Sequence, residues 1–300
     1  MTAPAQDLTT TFPFEAARRL VATALAEDLG PHGLDVTSSA TIPADQVATG
    51  QVVAREPGVL AGAPVIALVL DGVASVTGGA PPSLEVRIAD GTRLDAGDVI
   101  AELRGSTQQV LMAERTLLNV MSRLSGVASH TRRWADALEG TGCTVLDTRK
   151  TTPGMRELEK YAVRAGGGTN KRMGLFDVAM VKDNHVLAAG GVGAAFTAIR
   201  ERYPDVTIEV EVESTEQALE ALEAGARFLM CDNMSPDLLR STVTTARAWV
   251  AERGETVEIE ATGGLTLDEA AAYGATGIDY MSVGGLTHSS PIVDLALDLV

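Results

Sequence analysis

Apolar residues recur along this chain with two different periods, and the change between them divides it. From Phe14 to Glu27 they fall on one face of a 3.6-residue repeat, which predicts an amphipathic helix. Further on, Leu84, Val86 and Ile88 alternate with Ser83, Glu85 and Arg87, the period-two signature of a strand with one buried and one wet face. Asp90-Gly91 and Ala96-Gly97-Asp98 supply turns for a meander, so the chain up to about residue 105 reads as a small α+β unit. Ser106, followed three residues later by Gln109, has capping-box spacing and opens a long helix that runs to about Leu124. Gly126 predicts a break or bend before a second helix.

Beyond that point short apolar strands alternate with helical segments. The strands are read at 143–146, 178–181, 208–212, 228–230, 257–259 and 280–283. Such alternation implies parallel strands joined by crossover helices. Asp147, Lys182, Glu211, Asp232, Thr262 and Gly284 each fall at or just past the carboxyl end of one strand. An α/β barrel gathers those ends around one mouth, whereas an open sheet leaves its outer strands too far apart for six ends to converge. Six clear strands, with perhaps a seventh, favour an incomplete barrel over a full eight. The expected division is 1–124, an N-terminal α+β domain with its connecting helix, and 125–300, an α/β-barrel catalytic domain. Helices are expected to open at Thr266 and near Pro291, the last packing back on the N-terminal domain.

Charge sharpens this picture. The chain carries 24 Lys and Arg against 40 Asp and Glu, a formal net charge of −16. That balance excludes nucleic acid and anionic membranes as partners, since both call for a basic surface. No apolar run approaches the roughly 18 residues of a membrane span, and Met1–Thr10 lacks the pattern of a signal peptide. The expected location is cytoplasmic. Cys143 and Cys231, too few for a disulfide framework, sit in apolar runs and read as small core residues. Against the acidic background, residues 147–185 hold eight Lys or Arg and only five Asp or Glu. Arg156, Lys160 and Arg164, four apart with Glu157 and Glu159 interleaved, read as a solvated helix face. Arg149, Lys150, Arg172 and Lys182 lie at strand ends or in loops and read as a pocket for a small, multiply charged anion.

Two glycine-rich turns, Thr262-Gly263-Gly264 and Val283-Gly284-Gly285, follow the last two strands, with His288 close by in sequence. Free backbone N–H groups between two such turns form the phosphate site of many barrel enzymes. The Rossmann and P-loop glycine patterns are both absent, so no motif supports a dinucleotide or ATP site. In Glu209-Val210-Glu211-Val212-Glu213 the three acids share one side, and Asp232 ends the next strand. Glu211 and Asp232 read as hard oxygen ligands for Mg²⁺ or ribose hydroxyls. Glu211 alternatively pairs with a neighbouring lysine, and both readings hold if a resting ion pair opens to admit metal and substrate. Arginine offers a planar fork for carboxylates and lysine a point charge for phosphate oxygens. A mouth that holds a monophosphate, a metal with diphosphate, and a polycarboxylate suits transfer of a phosphoribosyl group to an acidic acceptor.

At this point the chain resembles the quinolinate phosphoribosyltransferases, the decarboxylating enzymes of NAD biosynthesis. The resemblance rests on Arg115-Thr116-Leu117-Leu118-Asn119, Leu124-Ser125-Gly126, Asp147-Thr148-Arg149-Lys150-Thr151, Lys160-Tyr161-Ala162-Val163, Gly166-Gly167-Gly168, Lys182-Asp183-Asn184-His185, Glu209-Val210-Glu211-Val212 and Asp232-Asn233. It implies an N-terminal α/β sandwich-like domain and an incomplete, about seven-stranded α/β barrel, in a homodimer with shared active sites or a hexamer built of dimers. Quinolinate reacts in that family with phosphoribosyl diphosphate and Mg²⁺ to give nicotinate mononucleotide, diphosphate and carbon dioxide.

Carried over by position, Arg149, Lys171, Arg172 and Lys182 are expected to hold the quinolinate carboxylates, with Arg115 reaching in from the partner subunit. Lys150, Glu211, Asp232, Thr262, Gly263, Gly264, Gly284, Gly285 and His288 are expected to bind phosphoribosyl diphosphate. Lys150, Lys182, Glu211 and Asp232 are the expected catalytic residues, and Glu211 and Asp232 the metal ligands. One departure stands out. The family usually shows Asn-His-Arg where this chain has Asn170-Lys171-Arg172, and lysine does not easily titrate near neutrality, which counts against a proton-shuttling role there while leaving attraction for a carboxylate. A related phosphoribosyltransferase with a different acidic acceptor is the nearest alternative, ahead of a Schiff-base aldolase using Lys182 and a non-catalytic scaffold.

Overall fold

The computed structural model describes Leu8 and residues 11–300, so the Met1–Thr10 segment read for a leader lies almost wholly outside the described residues. The chain forms two compact units that interleave along the sequence. The first takes in the described residues up to Arg132 together with Thr151–Gly167 and Leu286–Val300, and the second takes in Arg133–Lys150 and Gly168–Gly285.

In chain order the first unit begins with helices α1 (Phe14–Leu29) and α2 (Val36–Thr41) and strands β1 (Val47–Ala54) and β2 (Gly58–Val59). Helix α3 (Val65–Thr77), strands β3 (Ser83–Val86), β4 (Arg93–Leu94) and β5 (Val99–Ser106), and helix α4 (Thr107–Ala137) follow. Helix α1 buries Ala17, Val21, Leu25 and Leu29, the one-face repeat expected of it. Strand β3 forms where the alternation placed it, but it is an edge strand paired only with β5. Its expected buried face is therefore incomplete, and Val86 stays 45% exposed.

Helix α4 differs more. It runs unbroken for 31 residues through Gly126. A Cβ at position 126 would lie 2.0 Å from the Pro291 carbonyl oxygen and 2.9 Å from Ile292 Cα. The glycine is thus a packing residue that admits another backbone, not a helix breaker. Gln109 does not complete a capping box either, because its amide donates to Thr77 Oγ1 at 2.9 Å and to the Gly78 carbonyl at 3.2 Å. Although α4 is long, no described helix is both long and apolar enough to cross a membrane.

The second unit carries strands β6 (Thr144–Leu146), β7 (Val178–Val181), β8 (Thr207–Val212), β9 (Phe228–Asp232), β10 (Glu258–Thr262) and β11 (Tyr280–Ser282). Between β6 and β7 the chain visits the first unit as helix α5 (Arg156–Ala165). Helices α6 (Asp183–Ala189), α7 (Val192–Arg202), α8 (Thr215–Glu223), α9 (Pro236–Ala251) and α10 (Ala270–Gly274) link the later strands. All six strands are parallel, in the order β6-β11-β10-β9-β8-β7. The first strand thus pairs with the last, as in a barrel, while β6 and β7 are left as the two edges. A ring of strands that stops before closing is an incomplete α/β barrel. At the opening Thr169 makes a single parallel bridge to Leu146, with the Thr169 N–H 2.9 Å from the Val145 carbonyl. That bridge is all that forms of a seventh strand.

The end of the chain departs from expectation. Thr266 does open a helical segment, the turn at Leu267–Glu269 that leads into α10. No helix opens at Pro291. A short helix, α11 (Gly285–His288), is followed by strand β12 (Leu295–Leu299), which pairs antiparallel with β1 in the first unit's sheet of order β12-β1-β5-β3. Leu295, Leu297 and Leu299 alternate with Ala296 and Asp298, a period-two pattern that fits a strand better than a helix.

Candidate active site

The second unit brings most of the expected site residues to the carboxyl ends of its strands. Asp147, just past β6, is fully buried. It accepts hydrogen bonds from the Asn170 side chain at 2.6 Å and from the Lys171 backbone N–H at 2.9 Å. One buried carboxylate therefore ties the strand that leads to Arg149 to the segment that carries Arg172. Asp177 secures the far end of that segment through the backbone N–H groups of Met173 at 2.5 Å and Gly174 at 3.0 Å. Arg172 donates to the Val178 carbonyl at 3.1 Å. Partial burial lowers its pKa first, and repulsion from Arg149 adds to the effect, while Glu209 opposes it. Two guanidinium groups close enough to repel are prepared for an anion with more than one charge.

Lys182 and Glu211 lie one step beyond the Val181–Val210 pair of the β7–β8 ladder, so register alone makes them neighbours. They form a short ion pair, with Lys182 43% exposed and Glu211 12%. The lysine partner foreseen for Glu211 is thus present. Glu213, expected on the same face, lies past the end of β8 and is exposed. Asp232 ends β9 beside Asn233, whose backbone takes the left-handed φ of 52° and whose amide donates to Asp232 at 2.6 Å. Gly263 follows β10 with φ 90°, and a Cβ there would lie 2.3 Å from Asn233 Oδ1. Only glycine fits where these two turns meet.

Lys150 is exposed beyond Arg149, its N–H 3.1 Å from Thr148 Oγ1. Thr262 and Gly263 are half-buried, Gly264 is exposed at φ 55°, Gly284 is half-buried and Gly285 opens α11. Arg115 and His288 belong to the first unit, where Arg115 is 63% exposed on α4 and His288 is exposed at the end of α11. For a metal, no three His, Cys, Asp or Glu side chains converge among the described residues. The donor set offered by Glu211 and Asp232 is two hard carboxylates on adjacent strands. That suits Mg²⁺, which takes one or two carboxylates and fills its other positions with water and phosphate oxygens.

Lys171 is not at the mouth. Its side chain is 7% exposed and runs into the barrel, with Nζ 2.6 Å from both Glu260 oxygens, 3.4 Å from Glu209 and 3.0 Å from Met230 Sδ. Burial raises the Glu209 pKa, against the pull of Lys171. Glu260 was missed because the β10 strand was read as ending at residue 259. Counting back by twos from Thr262 places it on the inward face.

The helical cations depart from the solvated-face expectation. Lys160 and Glu159 on α5 are fully buried. Glu159 accepts from Arg123 at 2.7 Å and from Thr152 Oγ1 at 2.7 Å, and Arg123 also donates to the Ser290 carbonyl at 3.0 Å. Arg164 lies over the Tyr161 ring at 5.7 Å. Spacing of four assigns residues to one helical face without saying which face is covered.

Comparison with known proteins agrees with this arrangement. Residues 35–125 match the family described as quinolinate phosphoribosyl transferase, N-terminal domain, and residues 127–298 its C-terminal domain. The chain is 46% identical over 286 residues to a Mycobacterium leprae protein named nicotinate-nucleotide pyrophosphorylase (carboxylating), covering 95% of this chain and 98% of that one. It is 37% identical to the Nicotiana glauca protein named quinolinate phosphoribosyltransferase (decarboxylating) 2, mitochondrial, covering 92% and 80%. The solved nicotinate-nucleotide pyrophosphorylase of Francisella tularensis is similar with a TM-score of 0.87 and 33% identity, covering 96% and 97%.

Proposed function

The chain belongs to the quinolinate phosphoribosyltransferase family, and from that premise we propose that it transfers phosphoribosyl from phosphoribosyl diphosphate to quinolinate with loss of carbon dioxide, a step of NAD biosynthesis. The observation that carries this reading is the set of side chains at the strand ends of one unit. Arg149 and Arg172 repel one another, the Lys182–Glu211 ion pair joins the ends of β7 and β8, and Asp232 ends the adjacent strand β9.

Arg149 and Arg172 hold the two quinolinate carboxylates, and Lys182 leaves Glu211 to join them. Glu211, released, faces the ribose hydroxyls with Asp232. Lys150 lies between quinolinate and the diphosphate. Thr262, Gly263, Gly264, Gly284 and Gly285 hold the 5′-phosphate. Glu211 and Asp232 would hold Mg²⁺, which when bound would supply positive charge for the diphosphate. As diphosphate leaves, positive charge grows on the anomeric carbon, where the Glu211 carboxylate stabilises it while the pyridine nitrogen attacks. The nitrogen of the resulting pyridinium draws electrons from the adjacent ring carbon. That carbon loses its carboxylate as carbon dioxide and takes up a proton in its place.

Arg115, exposed on α4, completes the pocket of a partner subunit in a homodimer, alone or within a hexamer of dimers. A cytoplasmic location accompanies this reading, because phosphoribosyl diphosphate is too highly charged to cross a bilayer unaided. The test is incubation of the purified protein with phosphoribosyl diphosphate and carboxyl-labelled quinolinate, with and without Mg²⁺. Labelled carbon dioxide and nicotinate mononucleotide in equal amounts, dependent on Mg²⁺, are expected. Their absence from a folded preparation contradicts the proposal.

A further inference from the structure

Every lysine in the chain, Lys150, Lys160, Lys171 and Lys182, falls between residues 150 and 182, and every other permanent side-chain cation is an arginine. A chain that elsewhere uses only guanidinium groups places ammonium groups here, where a compact point charge differs in effect from a planar fork. Lys171 shows the difference. It leaves the main chain at the opening of the barrel, just after the bridge made by Thr169, and Asp147 fixes its backbone N–H. Its side chain then passes inward to a position among Glu260, Glu209 and Met230.

Glu260 is fully buried and the Glu209 side chain only 6% exposed. Two carboxylates taken out of water on the strands that flank β9 need a cation between them. The Lys171 ammonium is centred on one carboxylate and within reach of the other, in a space bounded by a thioether. Glu209 in turn is felt by Arg172, which is itself repelled by Arg149. The charges thus form a connected sequence: Glu260, Lys171, Glu209, Arg172, Arg149. Without the ammonium charge, the two buried carboxylates are left unbalanced and Glu209 draws on Arg172 more strongly, in competition with any acidic substrate.

We infer that Lys171 is the internal counter-ion of the barrel, a positioning residue that leaves Arg149 and Arg172 available to quinolinate without touching it. The inference rests on the reading of the arginine pair as the quinolinate site, and it departs from the substrate contact that family resemblance implies for position 171.

The test is quinolinate binding by calorimetry to the parent and to Lys171→Met, Glu260→Gln and the double variant, each checked by thermal unfolding. The double variant has the same net interior charge as the parent. Lys171→Met should bind at least about tenfold more weakly, Glu260→Gln at least as tightly as the parent, and the double variant within about threefold of the parent. A double variant as weak as Lys171→Met overturns the inference, because only a direct contact is left unrestored by charge balance. Failure of the parent itself to bind quinolinate instead overturns the site reading on which it rests. Should the methionine variants misfold, amine acylation of the native parent, read at its four lysines, decides the point. Slow labelling of Lys171 that quinolinate leaves unchanged is expected, against protection of Lys182. Rapid labelling of Lys171 that quinolinate blocks overturns the inference.

Discussion

At the scale of single residues, the site is a problem in charge. Removal of either arginine of the Arg149–Arg172 pair should lower kcat/KM for quinolinate at least about a hundredfold, since a carboxylate left unpaired in a desolvated pocket costs several kcal/mol. The melting temperature should hardly move, because relief of repulsion offsets the lost contacts. Steady-state kinetics and calorimetry on Arg149→Ala and Arg172→Ala check both halves. The two cysteines make a separate case. Burial, with Asp279 and Glu260 nearby, pushes the Cys143 thiol up to about 12, and burial with Glu260 does the same for Cys231. Both stay protonated at neutral pH, so a thiol-specific disulfide reagent should titrate neither until the protein unfolds. Their core placement was legible from the apolar runs around them. The Lys182–Glu211 pair was legible too, since strand ends and alternation suffice to bring those side chains together. The burial of Lys160 and Lys171 was not, because spacing gives a face or a loop but not depth, and the Glu260 carboxylate that pairs with Lys171 lies 89 residues along the chain.

At the scale of elements, the six parallel strands were readable within a few residues of their ends, since each is a short apolar run bounded by polar groups. The errors came where one residue type serves two purposes. Gly126 looked like a helix break and is a point of close approach. Gly126→Ala should therefore destabilise the protein, by about 2 kcal/mol or more, because the Pro291 carbonyl is backbone and cannot rotate away. A drop of several degrees in melting temperature is expected, and an unchanged value would return the glycine to a conformational role. The Pro291 turn resembles a helix start, which is why a helix is expected where β12 forms, although Leu295, Leu297 and Leu299 alternate as a strand does. Its partner β1 lies more than two hundred residues earlier, and local pattern does not report such a pairing.

At the scale of the whole molecule, the incomplete barrel followed from counting strands, whereas the interleaving of the two units did not, because composition shifts along a line do not register segments that return. The proposed sharing of sites makes a quantitative prediction. Arg115→Ala and Lys150→Ala homodimers should each be nearly inactive, yet after joint unfolding and refolding half the dimers are mixed. Each of those carries one intact site in two, so activity should return to about a quarter of the parent. No recovery, with exchange confirmed by mass-tagged subunits, would confine Arg115 to its own subunit or remove it from the site. A mouth built for a dicarboxylate acceptor of phosphoribosyl must distinguish quinolinate from nicotinate, and kcat/KM for the two under identical phosphoribosyl diphosphate and Mg²⁺ measures that distinction. The two acceptors differ by one carboxylate, and its loss leaves a charged group in the pocket unneutralised. At least about a thousandfold preference for quinolinate is expected. Equal efficiencies would contradict it.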